Sequence, residues 1–237
     1  MWSLFVALLT FGIMQMFRMP LWLMLVTVIP VLTILLVMGS VFYNFRKSLK
    51  FQDVPTYGYA PRLKELDREA ARLEPLGFVK IDQFYFKTIP DSITYAFTHQ
   101  QEPFYYCIYH LGPKATYELV SLFADNFTLT TSCTVDAGLT PRPARALLQI
   151  FPRGSYELLL NKHRTAHQYL VNNGIHSLAI NQREFRSIFL KNFLEHAAYI
   201  KQMFLWPITL IVRVFTKPGR KYCRTIQEQY PEGFPQG

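Results

Sequence analysis

An α+β chain joined to a membrane module is what the sequence calls for, and three observations carry that reading. Residues 21–43 contain no ionisable side chain except Tyr43. Between residues 78 and 135 lie five short segments rich in Tyr, Phe, Ile, Val and Thr, each bounded by turn residues. Two stretches with helical spacing of apolar residues follow. The expected architecture is an N-terminal transmembrane helical hairpin, then a cytoplasmic domain with a five-stranded antiparallel sheet flanked by helices. A C-terminal amphipathic, interfacial helix ends it. The corresponding divisions are 1–45 for the hairpin, 46–61 for a basic juxtamembrane linker, 62–175 for the α+β domain, 176–226 for the amphipathic and interfacial segment, and 227–237 for a flexible tail.

The membrane module rests on span arithmetic. About 20 apolar residues cross the hydrocarbon core, so 21–43 is long enough. Pro30 and Gly39 lie inside it, and both are tolerated in lipid, where Pro30 predicts a kink. Trp22 and Tyr43 suit the two interfaces. Residues 2–17 are at the short limit for a span, and a surface-lying helix is the alternative. A cleaved leader fits poorly: no basic residue precedes the apolar stretch, and Arg18-Met19-Pro20 is not a small-residue cleavage site. That tripeptide reads instead as the turn of the hairpin, with Pro20 opening the second helix, where its missing N–H costs nothing.

Charge distribution says more than charge total. The 237 residues carry 25 basic and 16 acidic side chains, a net +9, with 17% charged and 16% aromatic residues. Soluble domains average about 25% charged. Mean hydropathy is only +0.09, too low for a chain that is mostly membrane-embedded. Arg46, Lys47 and Lys50 sit in 46–50, and Lys201, Arg213, Lys217, Arg220, Lys221 and Arg224 in 201–224, with no acid in either segment. Both segments adjoin apolar runs. Nucleic-acid binders spread a basic patch over a folded face, so this pattern excludes nucleic acid as the expected partner and points to anionic headgroups. The cation-rich exit at 46–50 orients the following domain to the cytoplasm, in a bacterial-type cell membrane. Cys107, Cys133 and Cys223 are odd in number and show no framework spacing, so a reducing compartment is expected. The Asn126-Phe127-Thr128 glycosylation pattern is then accidental.

Within the domain, Leu63, Leu66, Ala70, Leu73 and Leu76 form a helical stripe over 62–76, stopped by Gly77. The strands are expected at 78–86, 93–99, 104–111, 116–124 and 127–135, with Asp125-Asn126 as a two-residue turn of positive φ. Five strands without intervening helices imply an antiparallel meander. Residues 139–153 read as irregular. Ser155 caps a helix over 156–171. A last helix starts near Gln182, with Phe185, Ile188, Phe189, Phe193, Ala197 and Ile200 on one stripe. It runs into the uncharged 203–212, too short to span a bilayer and therefore read as lying in its plane.

Chemistry is sparse. No dinucleotide, phosphate-loop, serine-hydrolase or zincin motif is present. His163 and His167 share a helix face, but Lys162 and Arg164 beside them disfavour a cation, and no metal site or cofactor is expected. Cys107 and His110 fall on opposite faces of a strand, so they do not form a nucleophile pair. No catalytic residue is nominated. Arg142, Arg145 and Arg153 precede the helix start at Ser155, where free N–H groups and arginines together suit an anion or headgroup. The function this supports is a membrane-tethered accessory or interaction module, sensing lipid or a membrane partner, with self-association also open. A membrane-associated enzyme acting on a phosphorylated or lipid substrate, and a small subunit of a larger membrane complex, are the alternatives.

Overall fold

The computed structural model describes residues 50–55, 57–87, 91–111, 114–203 and 218–234, with isolated positions within 11–36 and 206–216. Among the described residues no helix is long and apolar enough to cross a membrane. The hairpin expected at 1–45 and most of the in-plane segment lie outside the described residues.

The first described helix, α1 (Ala60–Ala71), begins two residues before its expected start, because Pro61 sits in its first turn, where a missing N–H is tolerated. A 3-10 turn, Glu74–Leu76, follows, and Gly77 closes it at φ 84°. That left-handed conformation is one glycine adopts without penalty. Leu66 and Leu73 point into the core, each worth about 1.5–3 kcal/mol when fully buried.

A meander comes next: β1 (Phe78–Phe86), β2 (Ser92–His99), β3 (Phe104–Leu111), β4 (Lys114–Leu122) and β5 (Thr128–Ser132). Each pairs antiparallel with its neighbour. Asp125 and Asn126 turn between β4 and β5 with φ of 56° and 59°, as the sequence predicts. The sheet nevertheless differs from expectation. A sixth strand, β6 (Ala146–Ile150), lies inside the segment read as irregular and pairs parallel with β5, so the sheet is six-stranded and mixed. Its sequence, Ala-Leu-Leu-Gln-Ile, has no alternation because four of its five residues are buried, and strands buried on both faces read as continuous apolar runs.

Two layers cover the sheet. On one face lie α1 and α2 (Tyr156–Asn172), over Phe97, Phe104, Tyr106, Ile108 and Leu119. Ser155 caps α2 by accepting from the Leu158 N–H. On the other face lies α3 (Phe185–Gln202), whose Phe185 and Phe189 pack with Phe84, Phe86, Tyr105 and Cys107. Phe51 joins this layer, 4.9 Å from Phe84 and 6.1 Å from Phe189 between ring centroids, and Gln52 bridges to Tyr85.

The next continuous described stretch begins at Pro218. A 3-10 turn, Pro218–Tyr222, and α4 (Ile226–Gln229) cover the free edge of β6. Ile226 is fully buried, and Gln229 donates from Nε2 to the Leu148 carbonyl. Covering an edge strand in this way hides a ready-made pairing template. Tyr230 and Phe234 continue onto Tyr169, so the chain is seated on α2 as far as 234, where the sequence predicts a frayed end.

Candidate functional site

The sheet face under α3 is not filled. Between β3, β4, β5 and α3 there is a cavity of about 760 Å³, within the roughly 300–1,000 Å³ usual for small-molecule sites. Strand alternation builds its floor. Tyr105, Cys107 and Tyr109 of β3, Glu118, Val120 and Leu122 of β4, and Thr128 and Thr130 of β5 all point to this side. The roof is Phe185, Ile188, Phe189, Phe193 and His196 of α3.

One end of the cavity is polar. Glu118 stands opposite Ser132 on β5 and opposite Cys107 on β3. The Ser132 and Tyr109 hydroxyls lie near its carboxyl group and favour its charged form. Burial raises its pKa above the usual carboxylate range, and the Arg142 charge and those hydroxyls only partly offset the effect. Arg142 approaches from the β5–β6 connection. Its Nη1 reaches Thr130 Oγ1 at 3.4 Å and its Nη2 the Ala137 carbonyl at 3.3 Å, both long contacts. Its Nε is buried without a hydrogen-bond partner. Burial lowers its pKa, with Glu118 as the main opposing charge. His196 Nε2 donates to the Pro141 carbonyl at 2.8 Å, which assigns the ring its Nε2–H form, and burial lowers its pKa. The rest of the wall is mainly apolar and aromatic, with Asn126, Thr128, Glu184, Asn192 and Glu195 also lining it. At the rim Lys191 bonds Asn126 Oδ1 at 3.4 Å, and Arg145 bonds the Asp125 carbonyl at 2.9 Å.

The four residues expected to gather at one anion site are divided by β6. Arg142 and Arg145 precede the strand and line the cavity. Arg153 and Ser155 follow it. Arg153 is exposed with φ 60°, and the Ser155 hydroxyl is occupied in capping α2. Of the basic residues assigned to a membrane surface, Lys50, Arg220, Lys221 and Arg224 are exposed and Arg213 is half-buried, while Arg46, Lys47 and Lys217 lie outside the described residues.

On the helix face bearing His163 and His167 the imidazoles are engaged by hydroxyl groups. His163 is fully buried, between Ser121 Oγ at 2.9 Å and Thr131 Oγ1 at 2.7 Å, so both ring nitrogens are taken. His167 bonds Ser177 Oγ at 3.0 Å. Among the described residues no group of three or more His, Cys, Asp or Glu is placed to hold a metal ion. Cys107 and His110 do face opposite sides. Cys107 lies on the cavity floor with its thiol pushed by burial up to about 12, far from a reactive thiolate. His110 lies under α1, joined to Glu65 at 3.1 Å and to Arg62 Nε at 3.1 Å. Arg62 continues to Asp91 at 2.7 Å. This second polar cluster ties α1 to the strand tips.

Sequence reasoning missed Glu118 and His196 as site residues. Only a charged residue at a strand centre could have signalled the first. No protein-family model matches the chain, and no curated protein or solved structure matches it either.

Proposed function

We propose that the chain is a membrane-tethered accessory module, with its sheet domain on the cytoplasmic side, that works by binding rather than by turnover. The observation that supports this most is where the two apolar runs meet the domain. The N-terminal run leads to Phe51, which packs on Phe189 near the start of α3. The C-terminal run, 203–212, leaves from the end of the same helix. Eighteen residues of α3 measure about 27 Å at roughly 1.5 Å per residue. Both apolar runs therefore join one layer of the domain, as two attachments to one leaflet require. Exposed Lys50, Arg220, Lys221 and Arg224 add the cations that anionic headgroups attract. Binding suits the cavity better than nucleophilic turnover: burial pushes the Cys107 thiol up to about 12, and the Glu118 charge opposite it works in the same direction, away from a thiolate.

Protease added to inside-out vesicles should cut within residues 51–234, while intact cells should protect that region. Cleavage from the outside, or sugar on Asn126, overturns the reading.

A further inference from the structure

The cavity under α3 has the chemistry of an amphiphile site. Val120 and Leu122 of the floor and Phe185, Ile188 and Phe189 of the roof give it a long apolar and aromatic wall. Its polar end holds one cation, Arg142, whose buried Nε lacks a partner. No ion pair within 4 Å joins Arg142 to an acid among the described residues, although Glu118 faces the same space. The two hydrogen bonds of Arg142, 3.4 Å to Thr130 Oγ1 and 3.3 Å to the Ala137 carbonyl, are long, and a ligand oxygen at this end of the cavity would give the guanidinium a closer partner. The head must be small and singly charged. A phosphate monoester brings nearly two negative charges against one guanidinium, with Glu118 adjacent. A carboxylate brings one, and its second oxygen can share a proton with Glu118. At the rim Lys191 is paired with Glu195 at 3.8 Å and Glu184 also lines the cavity, so Arg145 is the cation that favours an approaching anion.

We propose that this cavity binds a single-chain carboxylate amphiphile, its head between Arg142 and Glu118 and its chain along the aromatic wall beneath α3. The proposal is independent of the membrane reading, since every residue it uses lies in the sheet domain or α3.

The test is photolabelling of the full-length chain in phosphatidylcholine nanodiscs with a diazirine-bearing long-chain fatty acid, mapped by peptide mass spectrometry. Label should fall on peptides from 105–128 and 185–196. The alcohol of equal chain length should label those peptides roughly tenfold less, a difference of about 1.4 kcal/mol. Ile188→Trp, which fills the wall, should abolish the label, and Arg142→Gln should bring the fatty acid down to the level of the alcohol. Label confined to 1–49 and 203–217 overturns the site, as does cavity label that Ile188→Trp leaves unchanged. Equal labelling by acid and alcohol, or stronger competition by an alkyl phosphate, overturns the carboxylate head. If Arg142→Gln loses its near-ultraviolet dichroism, Ile188→Trp and the acid–alcohol comparison decide alone.

Discussion

His163 shows how a single side chain shifts from candidate ligand to core element once its surroundings are known. It is fully buried between two hydroxyls, and burial lowers its pKa to about 3, with the His167 charge adding to the effect. In the unfolded chain the ring titrates near 6.5. Below that pH the unfolded state gains a proton that the folded state refuses, so stability falls as pH drops from about 6.5 toward 3. His163→Gln should remove this component. At neutral pH it should destabilise by about 1–3 kcal/mol, the cost of leaving Ser121 or Thr131 short of a partner, yet its Tm should fall less steeply with acidification than that of the natural chain. Thermal melts between neutral and mildly acidic pH check both points. Asp91 obeys the opposite chemistry. Burial works against its charge, but hydrogen bonds from Tyr59 and Arg62 and the guanidinium charge outweigh it and lower its pKa. Its stabilisation is present above the usual carboxylate range and is lost only as pH falls below it. Asp91→Asn should cost about 1–3 kcal/mol, read as a lower urea midpoint at unchanged slope.

At the scale of elements, the C-terminal clasp is held by two glycines in backbone contact. A Cβ on Gly219 would lie 2.5 Å from the Val135 carbonyl oxygen, and one on Gly138 would lie 2.7 Å from the Gly219 Cα. Gly219→Ala should therefore lift the Pro218–Tyr222 turn and expose Ile226 and the β6 edge. Faster amide exchange over 218–230, with β1–β3 unchanged, is the expected result. This clasp also explains what was legible and what was not. The meander could be read because each strand has a local signature: aromatic and β-branched residues between turns, with Asp125-Asn126 needing no tertiary information. The Ser155 cap and the Gly77 stop were equally local. By contrast β6 owes its strand to partners far along the chain, β5 on one side and α4 on the other, and its flanking prolines mimic a loop. The cavity was illegible for the same reason. Glu118 is eleven residues from Cys107 in sequence and stands opposite it only because β3 and β4 are adjacent, and Arg142 comes to line the same cavity through a connection whose course depends on β6. The sequence grouped Arg142 with Arg153 by proximity along the chain, and one extended strand separates them.

For the whole molecule the decisive quantity is where the excess charge is held. The chain carries +9, and Arg220, Lys221 and Arg224 are exposed on a segment pinned to the domain by Gly219, Tyr222 and Ile226. A pinned array presents its cations together, whereas a frayed tail would spread them. Each basic residue near an anionic surface is worth about 1 kcal/mol. Removing three should therefore weaken binding by roughly 3 kcal/mol, on the order of a hundredfold. The measurement requires a form without residues 1–45, so that any span there does not dominate. The described core clusters use residues from 51 onward, so such a form keeps its folded centre. Flotation with anionic vesicles should then fall about a hundredfold in Arg220→Gln/Lys221→Gln/Arg224→Gln. Raising the salt should weaken the unsubstituted form most, because exposed charges are screened over about 10 Å at 0.1 M. Neutral vesicles should bind both forms alike, through 203–212. If the triple variant binds anionic vesicles as tightly as its parent, the basic face is solvated surface and the attachment rests on apolar burial alone.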